Sequence, residues 1–197
     1  PGLYVAGGAG GHSNGLIALA TFDGKVVADG IVADFAGLIS KPPGEIEIEI
    51  EIERRRLDGL RATSGTGPAP VMVKETLRDI MWDKVGVEKD KGGLDAALEE
   101  LSHIRSHLLP DMRLSNGGLR ANYEWLDAID VVNMVDVCEL IVQSSLERKE
   151  SRGPFFRTDF PDTDNREWLV ANILSKSGNG IKFQRRPYEL PYLEPGF

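Results

Sequence analysis

Cysteine is almost missing from these 197 residues, Cys138 being the only one. No internal disulfide and no cysteine-based metal cluster is therefore open to the chain, and Cys138, on the apolar face of a helical run, reads as a small buried hydrophobe. Histidine is as sparse: His12, His103 and His107. The last two stand four apart, a spacing that suits a metal on one helix face, but only distant His12 is left to add a third imidazole. An exposed pair is the plainer reading. Long apolar runs are lacking too. The first, at 16–20, is too short and too glycine-flanked for a signal peptide, and no window approaches a bilayer span. A cytoplasmic protein without direct membrane insertion is the expectation. Basic residues fall short of acidic ones, 23 against 31, and a net charge of −8 argues against sequence-independent nucleic-acid binding. A G-x-G-x-x-G dinucleotide loop is also absent, and no Gly-Lys-Ser/Thr follows the 64–70 loop, which excludes a phosphate loop there.

What is present is an ordinary globular composition, 41% apolar and 27% charged, in a length that holds one domain or one domain and part of another. Residues 1–8, P-G-L-Y-V-A-G-G, read as a short buried strand entering a glycine-rich turn. Gly7, Gly8, Gly10, Gly11 and Gly15 surround His12-Ser13-Asn14, and an amphipathic run opens at Leu16. Strand, glycine loop and helix start is an order in which backbone N–H groups meet an anion or a carbonyl oxygen; it is also the order of a merely tight turn. Lys41-Pro42-Pro43-Gly44 closes this first unit. Glu and Ile then alternate from Glu45 to Glu53. Period two reads as a half-buried strand, yet Ile46, Ile50, Leu57 and Leu60 also fall on one helical face.

From Val71 the periodicity is helical. Leu77, Ile80, Met81 and Val85 share one face; Leu94, Leu98, Leu101 and Ile104 share another, in a run stopped by Pro110. Trp125 to Leu146 is the longest, with Ile129, Val132, Val135, Leu140, Ile141 and Leu146 at spacings of three to five apart from the adjacent pair 140–141. The spacing predicts a mostly antiparallel bundle around Leu77, Ile80, Leu98, Leu101, Ile129, Val132 and Leu140, with little sheet. The tail from Trp168 reads as a short helix, then a turn at 177–180 and a proline-rich end.

The bundle runs into residues 148–164, R-K-E-S-R-G-P-F-F-R-T-D-F-P-D-T-D. Arg148, Arg152 and Arg157 alternate there with Glu150, Asp159, Asp162 and Asp164 around three phenylalanines. Guanidinium forks meet carboxylates bidentately and stack on rings, so the stretch predicts a clamp at a helix end; a solvated charge run is the alternative.

E-S-R-G followed by F-R-T-D-F-P resembles the signature closing the C-terminal helical domain of the succinate dehydrogenase/fumarate reductase flavoprotein family. L-aspartate oxidase and the adenylylsulfate reductase flavoprotein belong to the same family, and N-x-x-S-K with R-R-P-Y resembles the tail of the latter. P-G-L-Y-V-A-G-G is similar to the last strand of the family's FAD domain. The resemblance implies a mainly α fold: a terminal strand-loop-helix piece of an FAD-binding domain (1–43), a helical connector (44–70) and a helical C-terminal domain with an extended tail (71–197). It implies FAD as cofactor, with Gly7, Gly8, His12, Ser13, Asn14 and Gly15 in the loop along the flavin's ribityl chain and pyrophosphate, and with the N–H groups of Leu16 and Ile17 facing the ring. It implies an N-terminal flavoprotein domain or subunit as partner, with an iron–sulfur subunit beyond it, and no activity for this segment alone. Two departures stand out. Gly8 replaces the family's acid, and no arginine follows His12, where fumarate-reducing members hold a substrate carboxylate. A non-catalytic assembly module derived from the family is the rival expectation.

Overall fold

Proline and short polar side chains set where the helices of this chain begin. The computed structural model describes residues 3–7, 17–37, 43–62, 65–177 and 180–188. It divides into two compact units, Pro1–Glu53 and Arg54–Phe197.

In the first unit, α1 (Ile17–Asp34) is followed by a 3-10 turn, Phe35–Gly37. Residues 3–7 lie along α1: the Tyr4 hydroxyl donates to Asp34 at 3.1 Å, and the Gly7 N–H donates to Asp23 at 3.3 Å. The expected strand is not formed, since residues 3–6 are in no ladder, and Leu3 and Val5 are exposed. A strand needs a neighbour to satisfy its N–H and C=O groups, and no described residue of this unit supplies one. α2 (Pro43–Arg61) runs across the division between the units. The Glu/Ile alternation is thus wound as a helix, as the second of its two periods predicts, and Ile46, Ile48, Ile50 and Ile52 all stay exposed.

The second unit holds the core. α3 (Pro70–Val85) starts with proline at its first position, where a missing N–H costs nothing. Asp90 caps α4 (Lys91–His103), its carboxylate accepting the Gly93 N–H at 2.7 Å. α4 then widens into a π turn, Ile104–Leu108. Buried Asn122 caps α5 (Tyr123–Glu147): its side-chain oxygen accepts from the Trp125 N–H at 3.0 Å and its amide donates to the Asn116 and Gly118 carbonyls. The three helices pack pairwise. Their core is Val73, Leu77, Ile80, Val85, Leu94, Ala97, Leu101, Ile104, Met112, Ala128, Val131, Val135, Cys138 and Val142. Leu98 and Val132 are partly buried against it. Leu140, expected in the core, is 38% exposed and points elsewhere. Lys74 spans α3 and α5 through Asp127 and Asp130, both at 3.1 Å, and Arg105 ties the π turn to Glu139 and Asp136 of α5.

Two small sheets follow. β1 (Glu88–Lys89) pairs in parallel with β2 (Phe156–Arg157). The short helix α6 (Asn165–Trp168) ends at Trp168 instead of starting there. β3 (Val170–Ser177) and β4 (Gly180–Pro187) then form an antiparallel hairpin, registered from Val170↔Pro187 to Ser177↔Gly180. The tail therefore carries more sheet than expected, while the mainly α class holds.

Candidate functional site

Two places carry the chemistry read from the sequence: the glycine loop before α1 and the charged junction after α5. Of the eight residues expected at a flavin, Gly7 and Ile17 are described; Gly8, His12, Ser13, Asn14, Gly15 and Leu16 lie outside the described residues. Gly7 is buried, with φ of 69°, a left-handed conformation that glycine adopts without strain. A side chain there would begin 3.3 Å from the Ala20 Cβ, so glycine lets the segment lie close on α1. Ile17 opens α1 and is 85% exposed, and no acidic residue occupies the first turn. The N–H groups of that turn consequently face no carboxylate of their own helix. Lys25, the cation beyond the loop, pairs with Asp29 at 2.7 Å on the exposed face of α1.

The junction is built on Glu150, a fully buried carboxylate. Arg152 forks onto it with two bonds of 3.0 Å, Arg148 pairs with the same oxygen that Arg152 Nε reaches, and the Asp164 N–H donates at 2.9 Å. Burial alone would push this carboxyl up; the Arg152 bonds, the Asp164 N–H and the charges of Arg152 and Arg148 outweigh it and hold the pKa below the usual glutamate value. Arg157, only 1% exposed, forks onto Asp159 at 2.7 and 2.6 Å. Its remaining nitrogen donates to the carbonyls of Ser145 at 2.6 Å and Arg148 at 3.2 Å, which are the open carbonyl end of α5. Asp159 also accepts the Lys91 N–H at 3.1 Å, joining the junction to the start of α4; the Arg157 bonds hold its pKa down against burial. The clamp reading of the sequence is the one the geometry supports: Arg157 spends its donors on a carboxylate and backbone carbonyls, and Arg152 on the Glu150 carboxylate, the Asp164 carbonyl and the Asn165 side-chain oxygen at 2.8 Å.

Two sets of contacts in the junction were not read from the sequence. Lys89, 8% exposed, donates to the Val87 carbonyl and sits 4.8 Å over the Phe155 ring; burial, then the Arg157 charge, lowers its pKa. Trp168 lies between two guanidiniums, Arg185 at 3.9 Å and Arg148 at 5.4 Å from its ring. Neither contact has a local sequence signal, because the partners lie 17 or more residues apart. His103 and His107 stack at 4.6 Å between ring centroids on one exposed face. Among the described residues no group of three or more histidine, cysteine or acidic side chains is placed to hold a metal.

Residues 74–196, the bundle, junction and hairpin, match the family model described as fumarate reductase flavoprotein C-term. The chain belongs to this family. A fumarate reductase flavoprotein subunit of Mycobacterium tuberculosis is 27% identical over 194 residues, covering 91% of this chain and 33% of its own. An uncharacterised FAD-dependent oxidoreductase of Methanocaldococcus jannaschii is 34% identical over 116 residues, 59% of this chain and 20% of its own. Among solved structures, FrdA of E. coli quinol fumarate reductase superposes with a TM-score of 0.82 at 18% identity, covering 94% of this chain and 32% of that one. The apo Sdh1 complex of Mycobacterium smegmatis gives 0.81 at 24% identity, covering 98% and 34%. At such identities the superpositions show the fold alone. This chain spans a third or less of the length of the curated relatives it is similar to. No helix among the described residues is long and apolar enough to cross a membrane.

Proposed function

We propose that this chain is the C-terminal segment or split subunit of an FAD-dependent oxidoreductase of the fumarate reductase/succinate dehydrogenase type. It completes a flavin site together with an N-terminal FAD domain on another chain or on a further part of the same protein. The carrying observation is α1. It has 18 residues and none is buried, while Ile17, Phe22, Val26 and Val32 stand more than half exposed. A helix with this many large apolar side chains calls for cover by protein outside its own unit.

The residues fit a flavin on two points of this structure. The left-handed Gly7 keeps residues 3–7 close to α1, and the first turn of α1 is free of carboxylate. Gly7, Gly8, His12, Ser13, Asn14 and Gly15 would line the cofactor, and the N–H groups of Leu16 and Ile17 would face the ring. Bound FAD supplies two-electron chemistry through its isoalloxazine ring. The helix N-terminus contributes positive potential where negative charge grows on reduction, a preference of ~0.3–1 kcal/mol at such a position. The substrate is left open by the chain's own chemistry: Lys25 is the only lysine or arginine within residues 2–30, and it is paired with Asp29. Fumarate or succinate needs a fixed cation at its carboxylates, which the rest of the protein would have to provide. A cytoplasmic location and an iron–sulfur partner belong to the same reading.

Gly8 in place of the family's acid, and the missing arginine after His12, favour a second reading, an assembly module that has lost flavin chemistry. Co-expression with the N-terminal part of its flavoprotein separates the two. The expected result is a yellow complex whose FAD affinity drops in both Gly8→Val and Gly15→Val. Unchanged flavin binding in both variants would show that the loop does not touch the cofactor.

A further inference from the structure

The turn that leads into α5 seats the cap of that helix and also holds a reactive pair. Ser115, Asn116, Gly117 and Gly118 are all exposed. Asn116 bends its amide over the peptide that follows, its Oδ1 accepting the Gly118 N–H at 2.7 Å. That bond closes a ring containing both Asn116 Cγ and the Gly117 nitrogen, so amide carbon and backbone nitrogen are held in one small loop. A Cβ at position 118 would lie 3.0 Å from Oδ1 and 3.7 Å from Cγ, so glycine there gives the amide its room. At position 117 nothing lies within 4 Å of a Cβ, and the approach to the nitrogen is open. Among the described residues the Gly117 N–H has no acceptor, whereas its carbonyl accepts from the Arg61 guanidinium at 2.8 Å.

We propose that Asn116 is a site of self-modification, at which the Gly117 nitrogen attacks the Asn116 side-chain amide and converts it to aspartate and isoaspartate. Base removes the Gly117 N–H proton, and the Arg61 charge beside this peptide favours the anion. The nitrogen lone pair forms a bond to Cγ. The oxygen that becomes negative is Oδ1, which already receives the Gly118 N–H, so a donor to the tetrahedral intermediate is in place. Collapse breaks the Cγ–Nδ2 bond, and Nδ2 takes a proton from water and leaves as ammonia. Water then opens the cyclic imide. Attack at Cγ restores the normal chain as aspartate; attack at the main-chain carbonyl carbon routes the chain through the β-carbon as isoaspartate. In sum, an amide and a water become a carboxylate and ammonium, and nothing is oxidised or reduced.

The consequence falls on α5. The Asn116 carbonyl accepts the amide of buried Asn122 at 2.7 Å, and Asn122 caps the helix through the Trp125 N–H. Isoaspartate takes this carbonyl out of the main chain as a free carboxylate and lengthens the turn, so Asn122 loses its seat. The start of the helix is thereby loosened as the chain ages. The inference stands on this turn and is independent of flavin binding.

Incubation of the full 197-residue chain in mild base, followed by tryptic mapping and mass spectrometry, tests it. Cuts after Arg113 and Arg120 isolate Asn116 in one peptide, apart from the other Asn-Gly pairs at 14–15 and 179–180. The expected result is loss of the amide at 116 at least as fast in the chain as in a free peptide 114–120, with both products formed. Gly118→Pro, which removes the donor to Oδ1, should slow the loss roughly tenfold. Gly117→Ala should slow it as well, at an unchanged Tm. Separated isoaspartate protein should melt lower than Asn116→Asp, which carries the new charge on an unaltered main chain. Conversion slower in the chain than in the peptide would overturn the proposal, because the turn would then hold the amide away from the nitrogen. So would an unaltered rate in Gly118→Pro of intact Tm, since the fold would then add nothing to the dipeptide.

Discussion

Arg157 closes the carbonyl end of α5 by donating to the Ser145 carbonyl at 2.6 Å, from a side chain only 1% exposed. The same guanidinium holds Asp159, which in turn caps the start of α4 through Lys91. One side chain therefore joins the ends of two bundle helices to the segment that follows α5. Arg157→Ala should cost ~3–5 kcal/mol, because the carbonyls and the carboxylate are left without their partner. Arg157→Lys should recover only part of this, since an ammonium cannot reproduce the fork. Urea unfolding of the three proteins reads the difference.

Acid should open the junction through Glu150. Its folded pKa lies below the ordinary 4.5. The stability it contributes is then complete above the unfolded value and is lost as pH falls through the folded value. Asp159, shifted the same way, adds to the loss. Melting temperature should be level near neutrality and fall below about pH 4.5. Glu150→Gln should lower it at pH 7 and flatten part of the acid limb. An acid limb unchanged in that variant would show that other carboxylates drive it.

Gly67 is a site where a single methyl should matter. Its N–H donates to the Asp111 carbonyl at 2.9 Å, and a Cβ would lie 2.5 Å from that same oxygen. Gly67→Ala should destabilise by ~1–3 kcal/mol through overpacking. Gly117 has nothing within 4 Å of its virtual Cβ, so Gly117→Ala should be neutral within about 0.5 kcal/mol. Thermal melts of the pair separate a packing effect from a general cost of losing glycine.

Asn172 should be better as an apolar residue. Both polar atoms of its side chain are sealed from solvent and find no partner among the described residues. An unsatisfied buried amide costs ~1–3 kcal/mol. Asn172→Val removes that cost and suits a strand, so the hairpin should gain stability, visible as a higher Tm. A lowered Tm would mean that the amide has a role in solution.

Much of the bundle was legible. Leu77, Ile80, Leu94, Leu101 and Ile104 stand at helical spacing on α3, on α4 and at the turn that follows it, and all are buried. α5 was half legible, for a physical reason. It bears apolar residues on two faces, and the bundle takes the stripe Ala128, Val131, Val135, Cys138 and Val142, ending at Ser145. Small residues fit that close-packed seam; the larger Leu140 and Ile141 drew the sequence reading to the other face. The hairpin was missed as strands, although its turn was read, because Asn172 interrupts the apolar alternation of Val170 and Leu174. At the candidate site, most of the glycine loop read from motif order lies outside the described residues, and the Trp168 stack and Lys89 depend on long-range contacts that no local pattern encodes.

The alternation wound into α2 has a consequence for the unfolded chain. Glu45 to Glu53 keeps its period of two whatever the backbone does, so a locally melted α2 is a ready β-strand with isoleucine on every second position. Such a segment pairs edge to edge with its own copies unless like charges keep them apart. The glutamates perform that task near neutral pH. With glutamine in place of these gatekeepers, the same stretch would become the nucleus from which this chain aggregates.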